Sequence, residues 1–453
     1  MANKNVELMR GEPEKAVKKM AIPVMIAIIL TASYNIVDGF WIAGLGPAAI
    51  AGIGFVTPIF ALINGVSVGL GSGATSSISR AVGAKDRNKA SKAALHSLLI
   101  FFIASVLLTI ILLLIQEPLL KTYGASGESL AEGMRYGSVL FLGLFAFMFA
   151  NGAGGILRGE GDMKRAMYAM FVSTILNFFL DPIFIYSLNL GTPGAALATI
   201  TSTLGSAIVI MYWILVKKDT YVNVSFKNFK FDSIIFKDIL KVGIPASFET
   251  LITTFSVSLY LIFISSIAGD LGVAAYTSGQ RLYLFAVLPL SAIGIAVSAV
   301  SGSSFGAENW EYLSRTHTYG TKFATFFGVL FTAILVIFAP YLALIFAHTA
   351  DTAVLLPEIT SFLQVASLGL LFEGIAKPSS FMYQGIGRGS TSLAWTILRE
   401  IVSCVSLTYV FAFEFGWGLI GIWIGLACGR MFAAILNYIY AKYTIRQLKA
   451  QSN

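Results

Sequence analysis

The stretch LLIFFIASVLLTIILLLI at residues 98–115 decides the class of this protein. It contains 18 consecutive residues without a charged side chain. As a helix with a rise of about 1.5 Å per residue, it covers most of the roughly 30 Å hydrocarbon core of a bilayer. A helix also satisfies its own backbone hydrogen bonds, as a segment inside lipid must. The stretch therefore predicts a transmembrane helix.

Eleven further apolar runs lie on either side of this one. Of the 453 residues, 57% are hydrophobic and only 12% are charged, whereas soluble domains carry about 25% charged residues. We therefore expect an all-α polytopic membrane protein with twelve transmembrane helices. The runs lie roughly at 18–42, 50–79, 94–116, 135–156, 165–188, 194–216, 241–267, 273–303, 318–347, 359–384, 391–413 and 417–442.

Lysine and arginine residues concentrate in alternate segments between the runs. In the first half and at the C-terminus, the rich segments contain Lys4, Arg10, Lys15, Lys18, Lys19, Arg80, Lys85, Arg87, Lys89, Lys92, Arg158, Lys164, Arg165, Lys442, Arg446 and Lys449. Such an excess marks the cytoplasmic side, so we expect a multi-pass protein of the cell membrane with both termini in the cytoplasm. The net charge of +8 then reflects orientation in the lipid bilayer. We expect no nucleic-acid partner, because no soluble module combines basic residues with base-stacking aromatic residues.

The two halves of the chain resemble each other in sequence. Each half contains six runs and starts on the same side of the membrane, which is typical of parallel repeats. The matching segments are KKMAIP at 18–23 and LKVGIP at 240–245, LGPAA at 45–49 and LGVAA at 271–275, AVGAKDRN at 81–88 and SFGAENWE at 304–311, and RGEGD at 158–162 and QGIGR at 384–388. We therefore expect two six-helix lobes around a central cavity. Their predicted bounds are 1–216 for the N-lobe, 217–240 for a cytosolic linker, and 241–453 for the C-lobe with a short cytosolic tail.

Several motifs give the chain an end-to-end resemblance to the multidrug and toxic compound extrusion (MATE) family. They are YNIVDGFWIAGLG at 34–46, GSGATSSISRAVGAKD at 71–86, RGEGDMKRAM at 158–167, NFFLDPIFI at 177–185, TPGAALAT at 192–199, GIPASFETL at 243–251 and LGVAAYTSGQRL at 271–282. The resemblance implies a pair of lobes that exports drug-like cations against a proton or sodium gradient.

Two acidic residues lie inside the runs of the first half, Asp38 and Asp181, and no lysine or arginine lies in the membrane part of that half. A charge at the bilayer centre costs about 3 kcal/mol even on a lenient scale. Each acid lies about six residues before the outer end of its helix, so both are expected at a similar depth. Such acids must hold a proton or bind a positive ion or substrate, which is what a coupling site requires.

Helical spacing extends this site. Tyr34 and Asn177 each lie four residues before an acid, on the same helix face, and Pro182 frees a carbonyl oxygen one turn earlier. Oxygen ligands suit a hard cation such as sodium. The resemblance adds Thr199 to a coupling set of Asp38, Asn177, Asp181 and Thr199, which would also be the sodium ligands, and adds Asn151 to the same polar network.

The second half contains acids and bases together inside its runs. Glu373 and Lys377 have the favoured spacing of a helical ion pair. Glu249 and Arg399 lie at matching depths, so they could also pair. Such charges suit an internal lock or a structural role. The resemblance leaves a coupling role open as well, because some MATE proteins carry a functional acid at the position of Glu249, and Glu373 is a second candidate for that role. Gln280 and Arg281 are candidate substrate-binding residues, together with Tyr34, Asn151, Asn177 and Asp38.

The sequence therefore predicts a functional monomer that exports cationic or amphiphilic small molecules in exchange for protons or sodium ions. We expect no cofactor beyond the coupling ion. One alternative from the same superfamily is a flippase for lipid-linked saccharides, which would favour a cationic cavity. A membrane-embedded enzyme is not expected, because no nucleophile, base or metal-ligand constellation is present.

Overall fold

The computed structural model describes residues 2–225, 229–349 and 352–451, without the side chains of residues 2, 3 and 34–36, and these residues are almost entirely helical. In the first half the α-helices are α1 Ala2–Arg10, α2 Pro13–Ala43, α3 Pro47–Gly83, α4 Arg87–Thr122, α5 Gly127–Leu142, α6 Leu144–Gly159, α7 Met163–Pro182 and α8 Thr192–Met211. They continue as α9 Ser233–Gly306, α10 Trp310–Ile337, α11 Ala339–Ala343, α12 Leu356–Val365, α13 Gly369–Gly385, α14 Gly389–Ile397, α15 Ser406–Tyr409 and α16 Gly418–Gln451.

The expected all-α transmembrane architecture is confirmed. Ten helical segments are long and apolar enough to cross a membrane, and α5 and α6, bent by 46° at their junction, form one more. The 74-residue α9 is broken at Gly269, whose backbone angles of φ 57° and ψ −148° are not helical. Since α9 therefore supplies two spans, the described residues contain the twelve spans that the sequence predicts.

The chain forms two compact units, unit 1 with Met1–Met9 and Ile26–Ser247, and unit 2 with Arg10–Met25 and Phe248–Asn453. This division differs from the predicted lobe boundaries in two ways. The first half of α2 belongs to unit 2, where Glu14 accepts two hydrogen bonds from Arg315, the shorter of 2.9 Å. The segment predicted to be a free linker packs into unit 1, where Glu160 accepts hydrogen bonds from the backbone N–H groups of Tyr221 and Val222.

In unit 1, small residues let the helices approach closely. Helix α3 packs against α4, α5 and α6, and α7 packs along α8. A Cβ atom at Gly73 of α3 would clash with the carbonyl oxygen of Ile239 at the start of α9. Without a hydrophobic force between helices in lipid, such close packing is a main source of cohesion. Gly73 therefore allows α3 to pack closely against the start of α9.

In unit 2, the core surrounds a buried aromatic cluster. Tyr276 stacks on Trp423 with their rings 8° from parallel, and Phe362 meets the Trp423 ring edge-on at a centroid distance of 4.9 Å. All three side chains are almost completely buried. The cluster joins α9, α12 and α16.

The internal repeat is visible in local backbone geometry. Lys85 and Glu308 are equivalent positions in the two halves, and both adopt a positive φ, at 59° and 53°. The next residues, Asp86 and Asn309, each accept a hydrogen bond from a backbone N–H three residues later and so cap α4 and α10. The same turn and cap thus begin the third span of each half.

We predict that Gly73→Ala destabilises the protein, because the added methyl group would force α3 and α9 apart. Overpacking of this kind costs about 1–3 kcal/mol. The control is Gly54→Ala on the same helix, since a Cβ atom at Gly54 meets nothing within 4 Å. The thermal melting temperature of the purified protein in detergent would fall for Gly73→Ala and not for Gly54→Ala. Equal melting temperatures for the two variants would contradict the proposed close contact.

Candidate functional site

The structure brings the two acids of the first half together. Asp38 on α2 and Asp181 on α7 have their carboxyl groups within hydrogen-bonding reach of each other. Asp181 is completely buried and Asp38 is partly buried. The matched depths inferred from the sequence therefore correspond to a direct contact inside unit 1.

Neither acid has a basic partner. Among the described residues, no lysine, arginine or histidine nitrogen lies within 4.0 Å of either carboxyl group. One oxygen of each carboxyl and the amide oxygen of Asn177 are buried without a hydrogen-bond partner. Since buried polar atoms are normally satisfied, three orphaned oxygens at one place fit a positive ion or a proton. The donor set also fits sodium, which prefers oxygen ligands.

The end of α7 places Asp181 and Asn177 on the same side of the helix. Asn177 Nδ2 donates a hydrogen bond of 3.3 Å to Asp181 Oδ1. After Pro182, the helix widens into a π-helical turn at Ile183–Ser187, a feature frequent at functional sites. The sequence indicated a disturbance at the proline but not this wider turn.

The same π-helical turn recurs in unit 2 at Val410–Glu414. In both units, a glycine of the next helix contacts the turn: a Cβ atom at Gly194 would lie 2.6 Å from Phe184 O, and one at Gly421 would lie 2.6 Å from Phe411 O. This correspondence aligns Asp181 with Thr408. The backbone arrangement is therefore repeated, but the acidic pair is specific to unit 1.

Two other predicted site residues, Thr199 and Asn151, donate hydrogen bonds to backbone oxygens of their own helices. Thr199 donates to Ala195 O at 3.2 Å, and Asn151 donates to Phe147 O at 3.2 Å. The side chain of Tyr34 lies outside the described residues. Thr199 retains free lone pairs, because its hydroxyl acts only as a donor in this hydrogen bond.

Unit 2 contains a mostly buried charged cluster around Glu373. Lys377, Arg399 and Arg430 approach this carboxylate with nitrogen–oxygen distances of 3.9, 3.9 and 3.7 Å. Arg399 also pairs with Glu400 at 2.9 Å. The predicted pair of Glu373 and Lys377 is present, within a larger network that the spacing did not indicate.

Glu249 and Arg399, whose matching depths would allow them to pair, form no ion pair within 4.0 Å. Gln384 Nε2 instead donates to both oxygens of Glu249, at 3.3 and 3.2 Å. Arg399 instead lies against Glu373 and Glu400. Of the other two candidates in this half, Gln280 is partly buried and Arg281 is exposed.

One cation of unit 1 is placed differently from the prediction. Arg158 was assigned to a cytosolic loop, yet it belongs to α6 and its guanidinium donates to the backbone oxygen of Asn151, 3.4 Å away and two turns back along the helix. The prediction that Arg158 lies in a loop is therefore wrong. The two acids themselves remain unpaired.

A twelve-span helical fold with unpaired acids in its interior defines a membrane transporter. The sequence profile of the MatE family matches residues 23–183 and 245–410. The chain belongs to this family, whose members include multidrug efflux transporters, and the resemblance in the motifs is confirmed.

Individual relatives agree with this assignment. The chain is 24% identical to the probable multidrug resistance protein YoeA of Bacillus subtilis, over 95% of this chain and 93% of the relative. It is 27% identical to the multidrug export protein MepA of Staphylococcus aureus, over 90% and 89%.

Solved structures cover almost the entire chain. A multidrug resistance MATE family transporter of the MOP superfamily in an outward-facing conformation is 37% identical, with a TM-score of 0.95 over 99% of both chains. A MOP superfamily transporter from Pyrococcus furiosus, whose binding pocket is described as having a reverse polarity that suggests a different function, is also 37% identical, with a TM-score of 0.95 over 98% of this chain and 99% of that chain.

We predict that Glu373→Gln and Glu249→Gln affect stability differently. Removing the Glu373 charge leaves three buried cations without their shared partner, and breaking a buried ion pair from one side costs about 3–5 kcal/mol. Glu249 faces an amide, so its replacement by glutamine is expected to cost less. Thermal melting of the purified variants would measure this difference. A Glu373→Gln variant with the same melting temperature as the wild type would contradict the structural role of this carboxylate.

Proposed function

We propose that this protein is a secondary active antiporter that exports cationic or amphiphilic small organic molecules in exchange for protons or sodium ions. The observation that carries the proposal is the contact between two unpaired, buried carboxyl groups, Asp38 and Asp181. The names of the relatives from Bacillus and Staphylococcus support multidrug compounds as the substrate class.

The coupling follows from the charge of this pair. With both carboxyls ionised, the pair attracts a cationic substrate strongly. A proton or a sodium ion from outside removes part of that charge, so the same site releases its substrate. Because each ligand changes the affinity for the other, downhill entry of one can drive export of the other.

Asn177 and Thr199 complete the proposed coupling site. If sodium is the coupling ion, the orphaned oxygens of Asp38, Asp181 and Asn177 and the hydroxyl oxygen of Thr199 would hold it. If a proton is the coupling ion, one carboxyl group would hold it and donate a hydrogen bond to the other. Tyr34, Asn151, Gln280 and Arg281 remain proposed substrate-binding residues.

We further propose that the protein works as a monomer in the cell membrane, with both termini in the cytoplasm. Positively charged segments at alternate span ends support this orientation. No catalytic activity and no cofactor are part of the proposal. The charged cluster of unit 2, with Glu373, Lys377 and Arg399, is proposed to act as an internal lock, and Glu249 is a second candidate for proton uptake.

We predict that Asp38→Asn and Asp181→Asn each abolish gradient-driven efflux. Neutral amides cannot change charge, so neither a pH gradient nor a sodium gradient can act on the site. Ethidium efflux from vesicles containing purified protein would be measured with each gradient imposed separately. The control is Glu117→Gln, since Glu117 is an exposed carboxylate that pairs with Lys121.

Two outcomes of this experiment are informative beyond loss of efflux. The wild type responding to only one gradient would identify the coupling ion. Normal efflux in folded Asp38→Asn protein would reduce the acidic pair to a structural hydrogen-bonded network.

The flippase alternative is favoured by one observation, the group of Lys377, Arg399 and Arg430 in unit 2. Among the described residues, however, Glu373 and Glu400 lie against these cations, which leaves little positive charge for a lipid phosphate. We therefore predict that purified protein does not accelerate movement of fluorescent anionic lipids between the leaflets of vesicles. Rapid lipid movement without ethidium efflux would favour the flippase.

A further inference from the structure

We propose that Arg158 is an electrostatic barrier that stops cations bound in unit 1 from leaking toward the cytosolic end of that unit. The inference rests on the proposed function, because such a barrier matters only in a chain that takes up cations. It concerns a residue of unit 1 other than the coupling acids, and it is argued from four observations.

The first observation is the direction of the side chain. Arg158 occupies the last turn of α6, where an arginine ordinarily extends toward the nearby water and lipid headgroups. Its guanidinium instead turns back to the backbone oxygen of Asn151, seven residues earlier. The guanidinium therefore turns back along α6 into unit 1, away from the end of the helix.

The second observation is a slot formed by glycines. A Cβ atom at Gly71 would lie 3.2 Å from Arg158 Nη2, and one at Gly154 would lie 3.2 Å from Nη1. Any larger residue at these positions would compete with the guanidinium for space. The inward position of Arg158 thus depends on two neighbouring helices, α3 and α6, that both lack a side chain where the charge lies.

The third observation is the lack of an acidic partner. Arg165 pairs with Asp162 and Asp219, and Arg80 pairs with Asp238. Arg158 has no carboxylate within 4.0 Å in the described part of the chain, and its hydrogen bond goes to a neutral carbonyl. Since an arginine does not lose its proton in a protein, it remains an uncompensated positive charge.

The fourth observation comes from the internal repeat. Arg158 aligns with Gln384, and Ala27 aligns with Glu249. In unit 2 the equivalent side chain also turns inward, where it donates to Glu249. The inward direction is therefore common to both halves, whereas unit 1 has a charge at this position and lacks the acid.

These features place Arg158 between the acids and one end of the unit. Asp181 lies 18 residues beyond the start of α7, which is about 27 Å along the helix, whereas Arg158 lies in the last turn of α6, at the end of the unit where α7 begins. A cation on the acidic pair would have to pass this fixed positive charge to leave in that direction. Single arginines exclude cations and protons from membrane pores in this way.

The test is cation leakage without any exported substrate. Purified wild type, Arg158→Met and Arg158→Lys would be placed in vesicles that contain a pH-sensitive or a sodium-sensitive dye, and leakage would follow an imposed gradient. For a cation that passes the guanidinium at a distance of about 10 Å, loss of the positive charge lowers the electrostatic barrier. Leakage through Arg158→Met is then expected to rise on the order of tenfold. Arg158→Lys keeps the charge and is expected to leak no faster than the wild type. The control is Lys164→Gln, a change at an exposed basic residue that follows α6 in the chain, and it is also expected to leak no faster than the wild type.

Melting temperature separates this role from a structural one. Arg158 is partly buried and has no acidic partner among the described residues, so its replacement by methionine is not expected to lower the melting temperature. Arg158→Met should therefore be at least as stable as the wild type and leak faster. If Arg158→Met leaks cations no faster than the wild type, whatever its melting temperature, the proposed barrier is wrong. A leak that appears equally in Arg158→Lys would also overturn it, since the charge would then not be the cause.

The combined variant Asp38→Asn with Arg158→Met separates this inference from the proposed function. A leak that vanishes in the combined variant would support both. A leak that persists would leave the barrier intact but place the acidic pair off the route of the leaking ion.

Discussion

Two carboxyl groups in contact inside an apolar helix bundle cannot both remain charged without a positive partner. At a separation of about 4 Å, two like charges repel each other by about 4 kcal/mol even at an effective dielectric constant of about 20. Asp38 and Asp181 meet this condition, and the described residues offer them no basic side chain. A proton or a bound cation would relieve this repulsion, and the proposed antiport depends on the exchange of such positive partners at the pair.

The internal repeat shows how such a site arises from a common scaffold. Both units have the same turn and cap at the start of the third span, and the same π-helical turn in the fifth. At the matching positions of the two sites the side chains differ, with Asp181 against Thr408 and Arg158 against Gln384. In unit 2, Glu373 and Glu400 lie against arginines and a lysine, which suits permanent structure. In unit 1, Asp38 and Asp181 have no basic side chain within 4.0 Å among the described residues, which leaves these two acids available.

The transmembrane spans and the proximity of the two acids could be predicted from the sequence, because the bilayer sets the length and composition of a spanning helix. Apolar length fixed the spans, and equal distance from a helix end placed Asp38 and Asp181 together. Prediction failed where tertiary packing determines the partner or the direction of a side chain. Helical depth alone suggested that Glu249 pairs with Arg399, but the choice of partner depended on Gln384 from another helix. Arg158 was assigned to a loop, since nothing local reveals that Gly71 and Gly154 leave room for an inward guanidinium.

The most direct test of the account is to count the cations released when substrate binds. Purified protein in weakly buffered detergent would be titrated with ethidium, while protons and preloaded radioactive sodium are measured in the solution. The account predicts release of about one cation for each ethidium bound by the wild type, and none for the Asp181→Asn variant. Binding of ethidium to the wild type without release of either cation would contradict exchange at the acidic pair.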